Sequence, residues 1–381
     1  MKKKLLAVAL AASLFTALPL TAMAAESTLL GDANGTFNIT SVKDGIHAND
    51  YVVLDGKNIN LTVSAQGDGI ESEGYLTVDK AKLNLTGGGK GLNAADYITL
   101  TSGTYTIDTT DDCINSNAAV TIADGTYDLT SGDEAITGDT INISDGAFTL
   151  KTTGKGVKAT TDMTLSGGEF TINSSDDSIH SNGNITVTGG SYTITSGDDG
   201  VHADSTLTIE DGSITVTKSY EGLEANDIII NGGTTIVQGP STGGNFAIDA
   251  DGTVGFNGGT VMAVCSSNAM WEDINGKLGN AVYTKSAGSV QKNGVIAVTD
   301  ASGNVLSAVK SQISGSIGVL YYNSSVSSLT SCKSVVGGTY SGSFDSFGYA
   351  EGGTISGGTS TALSQTSTGG GGRPGGPGGR F

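Results

Sequence analysis

"SGDDGVHADSTLTIEDGSITV", residues 196–216, carries the pattern that decides the fold. The same order of residues stands one turn earlier in "SSDDSIHSNGNITVTGGSYTI", 174–194, and again in "TTDDCINSNAAVTIADGTYDL", 109–129. Each copy reads as two acids, an apolar anchor, an alternating run, a turn ending in glycine and a second alternating run. The anchors are Ile46, Ile70, Leu92, Ile114, Ile136, Val157, Ile179, Val201, Leu223 and Ile248, spaced by 21 to 25 residues and mostly by 22. After each anchor comes a strand such as Leu76/Val78, Val120/Ile122 or Leu207/Ile209. A further strand follows, such as Tyr105/Ile107, Phe148/Leu150 or Tyr192/Ile194.

Alternation with one apolar face means strands that are wet on one side. Three such strands per fixed period, with no helical pattern between them, predict an all-β parallel β-helix whose coils stack at ~4.8 Å. Equivalent residues then form straight columns. Tyr105, Tyr127, Phe148, Phe170 and Tyr192 fill one inner corner, and Phe37 fits the same slot on an earlier partial coil. Past Ile248 the rhythm fails. An open last coil is an unpaired sheet edge, so residues 260–366 read as irregular final coils and a β-rich cap. The remaining divisions are a signal peptide at 1–24, the β-helix at 25–259 and a glycine-rich disordered tail at 367–381.

The start supports export. Lys2, Lys3 and Lys4 precede an apolar stretch from Leu5 to Leu20, and Ala22-Met23-Ala24 makes a small-residue cleavage site. The apolar stretch is too short for a stable membrane span, so no transmembrane segment is expected after its removal. The destination is secreted, extracellular or cell-surface. The first cysteine is Cys113, far from the cut, so a lipid anchor is not expected there. Cys265 and Cys332 are open to pairing, and three cysteines make no disulfide framework. Loss of three lysines takes the formal charge from −19 to −22, which argues against nucleic acid and for cations as partners. Of four prolines only Pro240 lies in the body, as a sheet-rich fold requires. A monomer is expected.

The acids form columns of their own. Two residues before the anchors stand Asp44, Asp68, Lys90, Asp112, Glu134, Lys155, Asp177, Asp199 and Glu221. One place earlier, Asp111, Asp133, Asp176 and Asp198 add a second acid. Unit charges ~4.8 Å apart repel by roughly 1 kcal/mol in water and by several times that at a protein-like dielectric. Lys90, Lys155 and Lys158 relieve part of this. Without a matching lysine are the blocks Asp111, Asp112, Asp133 and Glu134, and Asp176, Asp177, Asp198, Asp199 and Glu221. Those residues, with Asn115, are the candidate ligands for Ca²⁺, whose preference is for oxygen donors. The competing reading is solvated turn acids that keep their own hydrogen bonds. His180 and His202 on adjacent coils are a weak zinc signature and are read as donors to the neighbouring acids.

Two further columns face outward. Tyr51, Tyr75 and Tyr97 precede the second strand on three successive coils at outward parity. They are candidate carbohydrate-binding residues, because aromatic faces stack on sugar rings; the alternative is that they stack on one another. The threonines Thr77, Thr99, Thr121, Thr164, Thr186 and Thr208 form a ladder interrupted at Asn142, read as ordinary exposed strand residues. Trp271, in the cap, reads as core.

With these columns in view, the "DDxIxSxxxxTIxxGxYxIxS" coil, the signal segment and the "GGGGRPGGPGGRF" ending resemble the secreted bacterial carbohydrate-binding β-helix proteins akin to polysaccharide lyases. The resemblance implies a right-handed parallel β-helix with bound calcium. It further implies binding of cellulose or of acidic plant polysaccharide such as polygalacturonate, without established catalysis. The family features fall on Asp111-Asp112, Asp176-Asp177 and Asp198-Asp199, whereas Lys90 and Lys155 replace the acid on their coils.

The expected function is therefore a calcium-dependent binder of extracellular polysaccharide. A pectate-type lyase is the alternative, and a surface adhesin or scaffold the third reading. By analogy, a lyase removes a proton with a base that is commonly arginine. The only arginines, Arg373 and Arg380, lie in the tail, which leaves Lys90, Lys155 and Lys158.

Overall fold

The computed structural model describes residues 23–25, 28–31, 35–270 and 281–365. Most of the expected export signal falls outside these residues. So do Trp271 and the glycine-rich tail with Arg373 and Arg380.

The 22-residue pattern winds into a parallel β-solenoid of about 10 turns. One coil consists of Ile114–Ser116, Ala119–Ile122 and Thr126–Ser131, and each strand pairs in parallel with its equivalent on the next coil: Ile114 with Ile136, Val120 with Ile141, Tyr127 with Phe148. Several corners are bends rather than breaks. Tyr75–Gly87 and Ile98–Thr109 run the second strand into the third, and Val157–Leu165 and Val201–Ile209 run the first into the second. Pairing resumes past these corners after a register shift, as between Leu100 and Gly103 and between Ala203 and Thr206, and Lys80 takes a φ of +60° at its bend. A three-strand count from sequence alternation alone cannot see that continuity.

The interior is the predicted set of columns. Rings stack at centroid separations of 4.6 Å for Tyr105–Tyr127, 4.6 Å for Tyr127–Phe148, 4.2 Å for Phe148–Phe170 and 4.9 Å for Phe170–Tyr192. Phe37 enters the same file through Leu61 and Leu83, which lead in register to Tyr105. Buried phenols need partners. Those of Tyr105, Tyr127 and Tyr192 donate to the carbonyls of Ser102, Asp124 and Gly189, in the turn three residues upstream. That turn brings backbone against ring: a Cβ on Gly125, at φ +135°, would stand 2.9 Å from the Tyr127 ring.

Beyond the repeat, Thr260–Ser266 still pairs in parallel with Thr234–Gln238, but its other edge takes Gly315–Asn323 antiparallel. Val282–Val290 continues that sheet. A second antiparallel sheet of Tyr349–Glu351, Val305–Lys310, Val295–Thr299, Lys333–Val336 and Thr359–Ala362 packs beside it. The cap thus closes the last coil by reversing strand direction, which ends the solenoid's stacking edge. Cys113, Cys265 and Cys332 are all buried free thiols, so Cys265 and Cys332 do not pair.

Truncating the middle of the ring file should be costly, because both neighbouring rings lose a face. Phe148→Ala is expected to destabilise by roughly 3–5 kcal/mol, seen as a lower Tm, whereas the same change at exposed Tyr220 should be nearly silent.

Candidate functional site

The acid columns lie along one corner, and the backbone explains why acids stand there. At five places along this corner an amide turns toward the side chain one coil back. Asp44 Oδ1 accepts from the Asp68 amide at 2.9 Å, and Asp68 Oδ1 from the Lys90 amide at 2.7 Å. Asp112 serves Glu134 at 3.2 Å, Asp177 serves Asp199 at 3.0 Å, and Asp199 serves Glu221 at 3.2 Å. One oxygen per acid is thereby engaged in a charge-assisted bond between coils. Bonds within a single turn, as the turn-acid reading expects, are made by the first acids: Asp111 Oδ1 accepts from the Asp112 amide and Asp176 Oδ1 from the Asp177 amide, both at 2.9 Å, while the second acids bond across coils. In each doublet the second acid is buried (Asp112, Asp177, Asp199), and the first (Asp111, Asp176, Asp198) stays partly exposed.

The second oxygens decide the electrostatics, and here the expectation of lysine-free blocks is overturned. Lys90 Nζ reaches forward one coil to Asp111 at 3.0 Å and to Asp112. Lys155 Nζ does the same to Asp176 at 3.0 Å and Asp177 at 2.5 Å, while Lys158 Nζ reaches back to Glu134 at 2.9 Å. A lysine side chain spans more than one coil spacing, so its charge is delivered to a neighbouring coil rather than its own. Asn115 points its amide at Asn93, at 2.9 Å, and Asn93 donates in turn to Asp68 at 2.7 Å. Asn115 therefore belongs to an amide chain along the corner.

The two histidines enter the same corner. His180 Nδ1 lies 2.9 Å from Asp177 Oδ2, as expected of a donor to the acids. His202 Nδ1 stands 3.7, 3.4 and 3.6 Å from Asp177, Asp199 and Glu224. Burial alone would raise the Asp177 carboxyl, but His180, His202 and Lys155 hold it well below the ordinary carboxylate range. Burial works against charged His202, yet Asp177, Asp199 and Glu224 push its pKa up to about 10.

The balance fails at the C-terminal end of the column. Burial, then the charges of Glu224, Asp249 and Asp199, push the Glu221 carboxyl up to about 9. Glu224 is also raised, by burial and by Asp199. Glu224 and Asp249 occupy the place just after the anchors Leu223 and Ile248 and stand outside the candidate ligand set. The signal was present in the sequence, since that column faces the same corner as the acids two places before the anchor. Groups of three whose ligand atoms lie within 4.8 Å of one another include Asp199/His202/Glu224, Asp177/His180/His202, Asp111/Asp112/Asp133 and Asp176/Asp177/Asp198.

Tyr51, Tyr75 and Tyr97 form a second feature, on the outside of the solenoid. Their rings stack at 5.1 Å and 7°, then at 5.0 Å and 3°. The mutual-stacking alternative is what the structure contains, so the faces between them are already covered.

A model of the family described as "Carbohydrate-binding domain-containing protein" matches residues 21–200 of the chain. That stretch takes in the tyrosine file, the first acid block and the histidine corner as far as Asp199. The match and the parallel solenoid together support a carbohydrate-binding β-helix. No curated protein and no solved structure matches the chain. No helix among the described residues is long and apolar enough to cross a membrane.

The raised groups set a pH dependence. Glu221 and His202 bind a proton more tightly in the folded chain than at their ordinary values of 4.5 and 6.5. Their stabilisation is complete below those values and is lost as pH rises toward about 9 and about 10. The Tm of metal-free protein should therefore fall steadily from about pH 5 to about pH 9, and Glu221→Gln should flatten the fall. A melting temperature that is level or rising over this range would contradict the assignment. Lys155→Met strips Asp176 and Asp177 of their cation and is expected to cost about 3 kcal/mol.

Proposed function

We propose that the chain is a secreted, calcium-dependent carbohydrate-binding protein that holds cell-wall polysaccharide, either acidic pectin-like chains or cellulose. The observation that carries this reading is the family match over residues 21–200, which takes in seven of the ten anchors, from Ile46 to Ile179. The solenoid supports it as well, because a long flat flank suits an extended polymer.

Calcium fits some of the candidate ligands better than others. At Asp111/Asp112 and Asp176/Asp177 a lysine already supplies the positive charge, and Lys158 supplies it at Glu134. Asp199, Glu221 and Glu224 receive no lysine contact among the described residues and would hold the ion, with Asp198 and Asp249 beside them. Carboxylates that are pushed to keep protons at neutral pH are groups that a divalent ion would relieve. Bound there, calcium supplies charge neutralisation and spare coordination positions for a uronate carboxylate. The chain's own part is to keep those oxygens on one corner and anchor Asp199 through the Glu221 amide.

A lyase needs a basic group that can accept a proton. Burial favours loss of charge from Lys90 and Lys155, but their paired aspartates more than offset it and raise both ammonium groups above the ordinary lysine value. That is the wrong direction for a base at neutral pH. The binder reading is therefore preferred to the lyase.

Pull-down on polygalacturonate should retain the protein with calcium and release it with a chelator. Retention that ignores the chelator sinks the calcium bridge. In the same samples, absorbance from unsaturated sugar ends should stay at baseline; a steady rise would restore the lyase reading.

A further inference from the structure

The outer tyrosine file stops where the inner one does not. Inside, five rings run without a gap from Tyr105 to Tyr192. Outside, Tyr51, Tyr75 and Tyr97 stack, and then the column changes character. Ile98 pairs with Val120, so the position under Tyr97 is Ala119, and Ala119 pairs with Thr140. Two small side chains in succession follow the last ring. At the sheet spacing of ~4.8 Å per coil this leaves a notch about 10 Å long before Asp162, the next residue in register. Its wall is the uncovered face of Tyr97, one of three large apolar residues exposed among those described, at 42%. Tyr75, covered on both faces, is only partly exposed.

We infer that the uncovered face of Tyr97, above Ala119 and Thr140, is a sugar subsite for a neutral hexopyranose ring, which takes the place of the missing fourth ring in the outer file. This rests on the carbohydrate-binding reading and assigns it a location. A pyranose is about as thick as one coil step, and its flat carbon–hydrogen face complements the negative face of a phenol ring. Beside the notch runs a file of polar side chains in register, Thr99, Thr121, Asn142 and Thr164, two residues further along the same outward face. Hydroxyls and an amide at coil spacing offer donors and acceptors to the sugar's own hydroxyls. A uronate is disfavoured here, because Asp96 precedes Tyr97 and Asp139 precedes Thr140 in the chain, so both rims of the notch are acidic.

The subsite is separate from the corner proposed for calcium, and the test treats them apart. Full-length protein is titrated calorimetrically with a β-1,4-linked glucose hexasaccharide and, in parallel, with a galacturonate oligomer of equal length, in the presence of chelator. The glucose oligomer should bind. Tyr97→Ala should weaken it about tenfold, on the order of the stacking energy of one aromatic pair. Ala119→Ile, which keeps every tyrosine but fills the notch with a side chain suited to a strand, should weaken it at least as much. Tyr220→Ala, removing a similarly exposed ring elsewhere, should leave it unchanged. Should Tyr97→Ala fold poorly, the Ala119→Ile result decides. Binding of the glucose oligomer that survives both notch variants overturns the subsite while leaving the carbohydrate reading intact. Binding of the galacturonate oligomer alone overturns the neutral-sugar assignment. If the unaltered protein binds neither oligomer, with chelator or with calcium, subsite and carbohydrate reading fall together.

Discussion

Stacking like on like is the constraint from which the rest of the structure follows. A coil that repeats every 22 residues places each side chain one sheet spacing from its equivalent, and does so along about 10 turns. Apolar columns gain from this without limit, because each added residue covers its neighbours. Charged columns lose, because the same spacing brings like charges together. The acid corner persists because each carboxylate does a backbone job. Asp44, Asp68, Asp112, Asp177 and Asp199 each accept an amide from the following coil that the corner geometry takes out of the regular ladder. The chain tolerates repulsion to keep a buried amide satisfied.

How the repulsion is relieved varies along the axis. Lys90 and Lys155 each neutralise a doublet one coil ahead, and Lys158 covers Glu134 one coil behind. Further along, His202 takes over, drawn toward its charged form by the acids around it, Asp177, Asp199 and Glu224 at Nδ1 and Asp204 at Nε2. Beyond it, at Glu221 and Glu224, protons themselves hold the cluster together. The corner thus mixes permanent ion pairs with raised carboxyls, at Asp133 beside Glu134 and again at Glu221 and Glu224. Groups of the second kind are the ones a divalent ion would relieve, which puts the proposed calcium position at Glu221 and Glu224.

The aromatic files show the same constraint inside and outside the solenoid. Inside, ring-on-ring contact is closed at both ends by apolar neighbours and serves packing alone. Outside, three tyrosines stack equally well, yet the file ends against Ala119. An interrupted stack on the surface presents a ring face to solvent in a fixed orientation, held by the rings behind it. Preorganisation of that kind is what a weak contact such as sugar stacking requires.

The sequence by itself determined the period, the parallel solenoid, the inner ring file with its Phe37 entry, the loss of rhythm before the cap and the two acid columns. These are legible because burial alternates along each strand and the repeat sums many weak signals in phase. Tertiary structure alone decided which acid of each doublet turns inward, that Lys90 and Lys155 serve Asp112 and Asp177, and that Asn115 joins an amide chain. Each of those depends on how far a flexible side chain reaches between coils, and on which direction it leaves a corner where inward and outward no longer alternate. Residue type and spacing set the columns; only the folded corner, with its displaced amides, sets who faces whom.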